Sequence, residues 1–170
     1  GSGCSADGNL IIAASIFDKL VAQLQKEGGH LATPEQKEML RKAMWDDERH
    51  RTVETVAIAP QQLAKIAGFE IPADRKFIMV HGDGIGKEHH FSGEKLTTLL
   101  ALYKYESFDQ ALAMMRGVYE VGGKGHSCGI YSFDQDHIHR LAMAAPVSRI
   151  MVRQPQSKAN AGAFNNGMPM

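Results

Sequence analysis

A cysteine at position 4 of the 170-residue chain stands among small and polar residues, in the stretch GSGCSADGNL. Structural cysteines usually lie within apolar runs, so these neighbours indicate an accessible sulfur. The apolar residues from Leu10 onward predict a helix, whose N-terminal dipole would lower the pKa of a thiol placed before it. Cys4 is therefore a candidate thiolate nucleophile. The alternative is that the first residues form a terminal tail without a chemical role.

Four other side chains are candidates for a site. Cys128 enters a predicted strand between small residues, a position typical of a buried and unreactive thiol. His126 lies between glycine and serine at the edge of that strand, where loops deliver functional groups, although a histidine that only satisfies local hydrogen bonds is equally in keeping with the pattern. Arg149 and Arg153 flank another predicted strand and could bind an anion or form ordinary salt bridges.

Two further motifs favour no site. Residues 82–87, GDGIGK, match neither the dinucleotide fingerprint nor the P-loop in the spacing of their glycines, so we predict a surface loop. Glu88, His89 and His90 follow directly. Adjacent histidines cannot both face one ion without a turn, and no third ligand has the right spacing, so we expect no metal.

Composition limits the classes of function. The chain carries 19 basic and 19 acidic side chains, so no overall field would draw it to nucleic acid or to an anionic membrane. No apolar run approaches the ~18 residues of a membrane span, and the start lacks the layout of a secretion signal. The two cysteines have neither metal-type nor disulfide-type spacing. A single globular domain in the cytoplasm is the expectation.

Periodicity predicts an α/β fold, with a βαβ-built, mostly parallel sheet flanked by helices. Thr33 and the residues after it match a capping box with proline at the first helical position, which sets the start of the second helix. Residues 46–56 are predicted to form a partly helical surface connection, and residues 154–170 are predicted to form a loop. The predicted helices cover 10–24, 34–45, 61–67, 108–118 and 135–144, and the predicted strands cover 76–81, 99–105, 127–132 and 149–152.

Several segments together resemble the catalytic half of the aldehyde dehydrogenase superfamily, and most closely its coenzyme A-acylating branch. They are CSADGNL from Cys4, EKL from Glu94, GHS from Gly125, RIMV from Arg149, and the LATPEQ turn at 31–36. Their order matches over nearly the whole chain. The resemblance implies that residues 1–170 form a nucleophile-bearing catalytic domain and that the dinucleotide-binding domain is absent from this chain.

The same resemblance implies roles for individual residues. Cys4 would be the nucleophile, Glu94 would hydrogen-bond the ribose of NAD or NADP, and His126 would bind substrate. Coenzyme A would accept the acyl group. Arg149 and Arg153 would suit a small anionic aldehyde of the sulfoacetaldehyde kind. One departure from the family pattern is Thr98, which stands where a proline often follows the glutamate.

The resemblance also implies partners and leaves alternatives open. A longer parent chain, expected to be a homo-oligomer, would supply the upstream dinucleotide-binding domain and the asparagine of the oxyanion hole, so we expect the isolated chain to be inactive. The alternatives are a non-catalytic α/β binding or assembly module and a stand-alone thiol enzyme that pairs Cys4 with His126. Measuring the alkylation rate of Cys4 as a function of pH, with Cys128 as internal control, would distinguish these hypotheses.

Overall fold

The structure is a computed structural model that describes residues 6–160 of the chain. Six strands and six α-helices follow one another through this range, alternating except where α3 follows α2 and β4 follows β3, and three short 3-10 turns lie between them. The strands are β1 (Asn9–Ala13), β2 (Gly29–Leu31), β3 (Phe77–His81), β4 (Leu99–Tyr105), β5 (Gly125–Ile130) and β6 (Val147–Val152). The helices are α1 (Phe17–Lys26), α2 (Pro34–Met44), α3 (Pro60–Ala67), α4 (Phe108–Gly122), α5 (Gln135–Ala144) and α6 (Gln156–Asn160).

The strands form two parallel sheets. The larger sheet has the order β1-β4-β3-β2, and β5 pairs with β6 in the smaller one. Each pairing runs parallel. The predicted α/β class, with a parallel sheet flanked by helices, is confirmed. The sequence pattern did not distinguish one sheet from two, because periodicity identifies strands without identifying their partners.

Alternating side chains of the central strand β3 enter different layers of the core. Ile78 and Val80 pack with Leu40 of α2 and Leu63 of α3. Met79 belongs to a separate cluster with α1. All five side chains are fully buried. The larger sheet is therefore covered by α1 on one face and by α2 and α3 on the other.

A third apolar cluster joins the smaller sheet to the rest of the chain. Leu112 and Met115 of α4 and Leu141 of α5 are its buried members. Cys128 of β5 and Ile150 of β6 pack against them. Helices α4 and α5 thus cover one face of the β5–β6 pair.

The predicted helix boundaries near α2, α3 and α4 are confirmed by their caps. The Thr33 hydroxyl accepts a hydrogen bond from the Gln36 backbone N–H at 3.2 Å, and the Gln36 side chain accepts one from the Thr33 N–H at 3.1 Å. Helix α3 ends at Gly68, whose φ of +94° suits glycine. Ser107 caps α4 through a bond from the Gln110 N–H.

The prediction of one helix over residues 10–24 was wrong in its first half. Leu10 and Ile12 lie in β1, in parallel register with Leu102 and Lys104 of β4. A short apolar run satisfies the helical and the buried-strand pattern alike, and only pairing with β4 decides between them. Because the first α-helix begins at Phe17, the helix-dipole argument for a lowered Cys4 pKa has no support in the structure.

Smaller differences concern short elements. Strand β2 was not predicted, since GHL lacks strand character of its own. Strands β5 and β6 begin two residues earlier than predicted. Residues 46–56 contain only the 3-10 turn Val53–Thr55. The predicted 154–170 loop contains α6, and its last ten residues lie outside the described range. Within residues 6–160, no helix has the length and apolar character needed to cross a membrane.

Candidate active site

One cavity of about 580 Å³ lies between the two sheets. Chain segments 6–13, 92–97 and 126–132 line it, together with the side of α4. Segment 6–13 includes β1, the edge strand of the larger sheet, and segment 126–132 includes most of β5. Apolar side chains from β1 and α4 and polar side chains from the loops both reach the cavity, a composition typical of small-molecule sites.

This cavity brings together three of the candidate residues, Glu94, His126 and Cys128. Glu94 and His126 both line it, although 32 positions of sequence separate them. Cys4 lies outside the described residues. Ala6, Asp7 and Gly8, which follow it closely in sequence, line the same cavity.

Glu94 lies in the loop between the 3-10 turn His90–Ser92 and β4. Its side chain is exposed, whereas the next residue, Lys95, is buried. A backbone hydrogen bond anchors this loop, since the Leu96 carbonyl accepts from the Ala57 N–H at 2.8 Å. Glu94 therefore lines the cavity from a backbone that is anchored two residues further along.

His126 stands near the start of β5 with its ring exposed. Its Nδ1 lies 2.8 Å from the Ser127 hydroxyl. That hydroxyl also accepts a hydrogen bond from the Asn160 side-chain amide of α6 at 3.2 Å. This contact leaves Nε2 of the imidazole as the nitrogen that a substrate could engage.

Cys128 fits the prediction of a structural thiol. It is half-buried, free, and packed against the α4 and α5 cluster. Burial raises the pKa of its thiol, and nearby Tyr119 and the Gly129 backbone offset this only in part. Cys128 also lines the cavity, but a raised pKa depletes its thiolate at neutral pH, so it is suited to serve as an internal control of low reactivity.

Arg149 and Arg153 are placed differently. Neither is among the described residues that line the cavity. Arg153 donates a hydrogen bond to the Ser132 carbonyl at 2.8 Å and lies 4.9 Å over the Phe133 ring. Arg149 is half-buried on β6, on the face opposite Ile150. The structure does not join the two arginines with Glu94 and His126 in one site.

The glycine-rich loop after β3 does not lead into an α-helix, as the phosphate-binding loops of dinucleotide and P-loop folds do. Residues 82–87 lead to the single 3-10 turn at 90–92 and not to an α-helix N-terminus. Glu88, His89 and His90 line a second, smaller cavity with Lys37 and Arg41 of α2. Among residues 6–160, no group of three or more histidines, cysteines or carboxylates is arranged to hold a metal ion.

Lys95 is a buried charged residue that sequence analysis did not single out. Its side chain is 2% exposed, and its Nζ donates to Asn9 Oδ1 at 2.9 Å and to the carbonyls of Phe91 and Gly93 at 2.7 and 2.8 Å. Burial lowers its pKa to about 7, and the charge of Arg51 acts in the same direction. Lysine is almost never fully buried, but one sequence cannot reveal that a given lysine is.

Curated relatives match the chain over almost its whole length. A sulfoacetaldehyde dehydrogenase from Acholeplasma is 32% identical over 99% of this chain, and an acylating sulfoacetaldehyde dehydrogenase from Cupriavidus necator is 31% identical over 99%. An acetylating succinate-semialdehyde dehydrogenase from Clostridium kluyveri is 30% identical over 96%. The chain is therefore similar to about a third of each of these acylating or related aldehyde dehydrogenases. It spans only 34 to 36% of the length of these three relatives.

Solved structures of acylating aldehyde dehydrogenases agree with this relationship. An acetylating aldehyde dehydrogenase from Geobacillus thermoglucosidasius superposes with a TM-score of 0.93 over 98% of this chain and 36% of its own, at 32% identity. Two structures at about 20% identity share the fold: an engineered glycolyl-CoA reductase with bound NADP⁺, and a Rhodopseudomonas palustris propionaldehyde dehydrogenase with bound coenzyme A and an acylated cysteine. No family model matches the chain. The expected resemblance to the acylating branch is confirmed.

Proposed function

We propose that this chain is the nucleophile-bearing part of a coenzyme A-acylating, NAD(P)-dependent aldehyde dehydrogenase. The observation that carries the proposal is the cavity shared by Glu94, His126 and residues 6–8, because it gathers separate motifs of the acylating family around one space. The upstream dinucleotide-binding domain would come from a longer parent chain, in keeping with relatives about three times as long.

The chemistry assigned to Cys4 accounts for each bond. Its thiolate adds to the aldehyde carbonyl and forms a C–S bond, leaving a thiohemiacetal oxyanion. NAD(P)⁺, when bound in the parent chain, would supply the hydride acceptor, and loss of hydride from that carbon would give a thioester on Cys4. The thiolate of coenzyme A then attacks the thioester carbonyl, forms acyl-CoA and releases the Cys4 thiolate. Covalent attachment thus divides one difficult oxidation into easier steps.

The assay of the full-length polypeptide tests this function. Purified protein with aldehyde, NAD⁺ or NADP⁺ and coenzyme A should form NAD(P)H and acyl-CoA in equal amounts, whereas the 170-residue chain alone should form neither. NAD(P)H without acyl-CoA would point to a hydrolytic relative. Absence of both products with each aldehyde tried would contradict the assignment.

The proposed substrate is a small anionic aldehyde. Three of the curated relatives are named for sulfoacetaldehyde or succinate semialdehyde, which carry a sulfonate and a carboxylate. We expect kcat/KM for these two to exceed that for acetaldehyde by about tenfold, the effect of one charge-assisted contact. Arg149→Gln and Arg153→Gln test the proposed clamp separately. If both variants keep the wild-type preference, these arginines do not provide the selectivity.

Glu94→Ala tests the cofactor-positioning role. We expect KM for NAD(P)⁺ to rise about tenfold, because a hydrogen bond to a charged acceptor contributes roughly 1.5 to 3 kcal/mol. The melting temperature should not change, since the Glu94 side chain is exposed. The matched control is Glu54→Ala, an exposed glutamate in the 3-10 turn after α2. An unchanged KM in the Glu94 variant would remove this residue from the site.

A further inference from the structure

Lys95 is fixed at both ends of its side chain. Arg51 holds its backbone, donating from Nε and Nη2 to the Lys95 carbonyl at 3.2 and 2.8 Å. Arg51 is itself anchored, because its Nη1 donates to the Thr55 hydroxyl at 2.9 Å and its guanidinium lies 5.0 Å over the Trp45 ring. The base of the Lys95 side chain is therefore tied to the segment that follows α2.

The ammonium end joins two pieces of chain that line the cavity. Two of its acceptors are the carbonyls of Phe91, in the 3-10 turn at 90–92, and of Gly93, in the loop that carries Glu94. The third, Asn9 Oδ1, belongs to the first residue of β1, directly after the 6–8 segment. Lys95 thus connects the strand that follows Cys4 in sequence to the Glu94 loop.

The Asn9 side chain contributes two hydrogen bonds to this connection. While its Oδ1 accepts from Lys95, its Nδ2 donates to the Ser92 carbonyl at 3.0 Å. Ser92 is fully buried, and its hydroxyl donates within the same loop, to Gly86 or His89. The Asn9 amide is consequently held in one orientation by partners on both of its atoms.

The three acceptors of the ammonium are uncharged oxygens. A buried charge whose contacts are all neutral costs free energy, and an apolar side chain of similar size is often as stable or more so. Global stability therefore does not explain a lysine here. What an apolar residue could not do is donate hydrogen bonds to two separate chain segments at once.

We propose that Lys95 is a positioning residue, whose Nζ sets the spacing between the strand after Cys4 and the loop that presents Glu94. This inference rests on the proposed function in assigning roles to those two residues. A change in that spacing displaces the nucleophile relative to the nicotinamide, and about 1 Å of misplacement can cost 10²-fold in rate.

Lys95→Met in the full-length polypeptide tests the proposal, since it keeps an unbranched side chain only one atom shorter and removes the hydrogen-bond donors. Its kcat per titrated Cys4 thiol should fall by 10-fold to 100-fold, with a rise in KM for NAD(P)⁺. The rate of Cys4 alkylation by iodoacetamide at pH 7 should also change at least threefold. The control is Lys65→Met on α3, an exposed lysine, which should behave as wild type.

A second variant approaches the same contact from the other strand. Asn9→Ala removes the acceptor and the bond to Ser92, and should reproduce part of the loss in kcat. The double variant should lose no more than Lys95→Met alone, because both changes break one connection. If Lys95→Met does not fold, the kcat of Asn9→Ala still tests whether this contact positions the site.

A purely structural role predicts a different pattern. It would lower the melting temperature and the folded fraction but leave kcat per titrated thiol, KM and Cys4 alkylation at wild-type values, and that result would overturn the proposal. If wild-type protein oxidises no aldehyde, the proposed function fails, whereas the alkylation rates of the variants still decide the role of Lys95.

Discussion

Replacing Cys4 with serine is expected to lower the rate of acyl-CoA formation by about 10³-fold or more, because a serine hydroxyl is scarcely ionised at neutral pH and cannot replace the thiolate. The loss should appear in kcat, since the change removes the covalent intermediate and leaves substrate binding intact. Mass spectrometry of wild-type protein incubated with aldehyde and NAD(P)⁺, but without coenzyme A, should find the acyl group on the peptide that contains Cys4.

Cys128→Ser is the matched control, because it makes the same atom exchange at the other cysteine of the chain. Its thiol is half-buried with a raised pKa, so we expect activity within a few-fold of wild type and little alkylation of Cys128 at pH 7. Full activity in Cys4→Ser would show that Cys4 is not the nucleophile. An acyl group recovered on Cys128 would assign that role to Cys128.

Elements with local signals were predictable from the sequence. The Thr33 capping box, the glycine after α3 and the apolar run of β3 each fix a boundary by local chemistry, and the structure agrees at all three. The prediction for the segment of strand β1 was wrong because that segment carries no such local signal. Its apolar residues are compatible with either element, and the deciding contact is pairing with β4, about 90 positions further along the chain.

The residues of the candidate site were likewise predictable only where a local motif marks them. Family motifs pointed to Glu94 and His126, and the fold gathers both around one cavity. The arginine pair failed to join them because flanking a strand does not determine which cavity a side chain reaches. Lys95 stands beside Glu94 in sequence, yet its burial depends on Asn9 and on the loop at 91–93. Such long-range contacts are not visible in local composition.

Burial of Lys95 should make the stability of the protein rise with pH above neutrality. Its pKa is about 7 in the folded state, lowered first by burial and then by the Arg51 charge, while neighbouring Glu94 opposes the shift. The unfolded chain holds this proton up to the ordinary lysine value of 10.5. Between these two values the unfolded state binds more protons than the folded state, so the free energy of unfolding increases as pH rises.

One proton of difference corresponds to a slope of at most about 1.4 kcal/mol per pH unit. Lys95→Met abolishes this contribution, so urea unfolding between pH 7.5 and 9.5 should show a steeper rise for wild type than for the variant. Subtracting the two profiles removes the titration of all other groups, and Lys65→Met should follow wild type throughout. Parallel profiles for wild type and Lys95→Met would mean that the ammonium keeps its proton in the folded protein, because three well-placed acceptors then outweigh the cost of burying its charge.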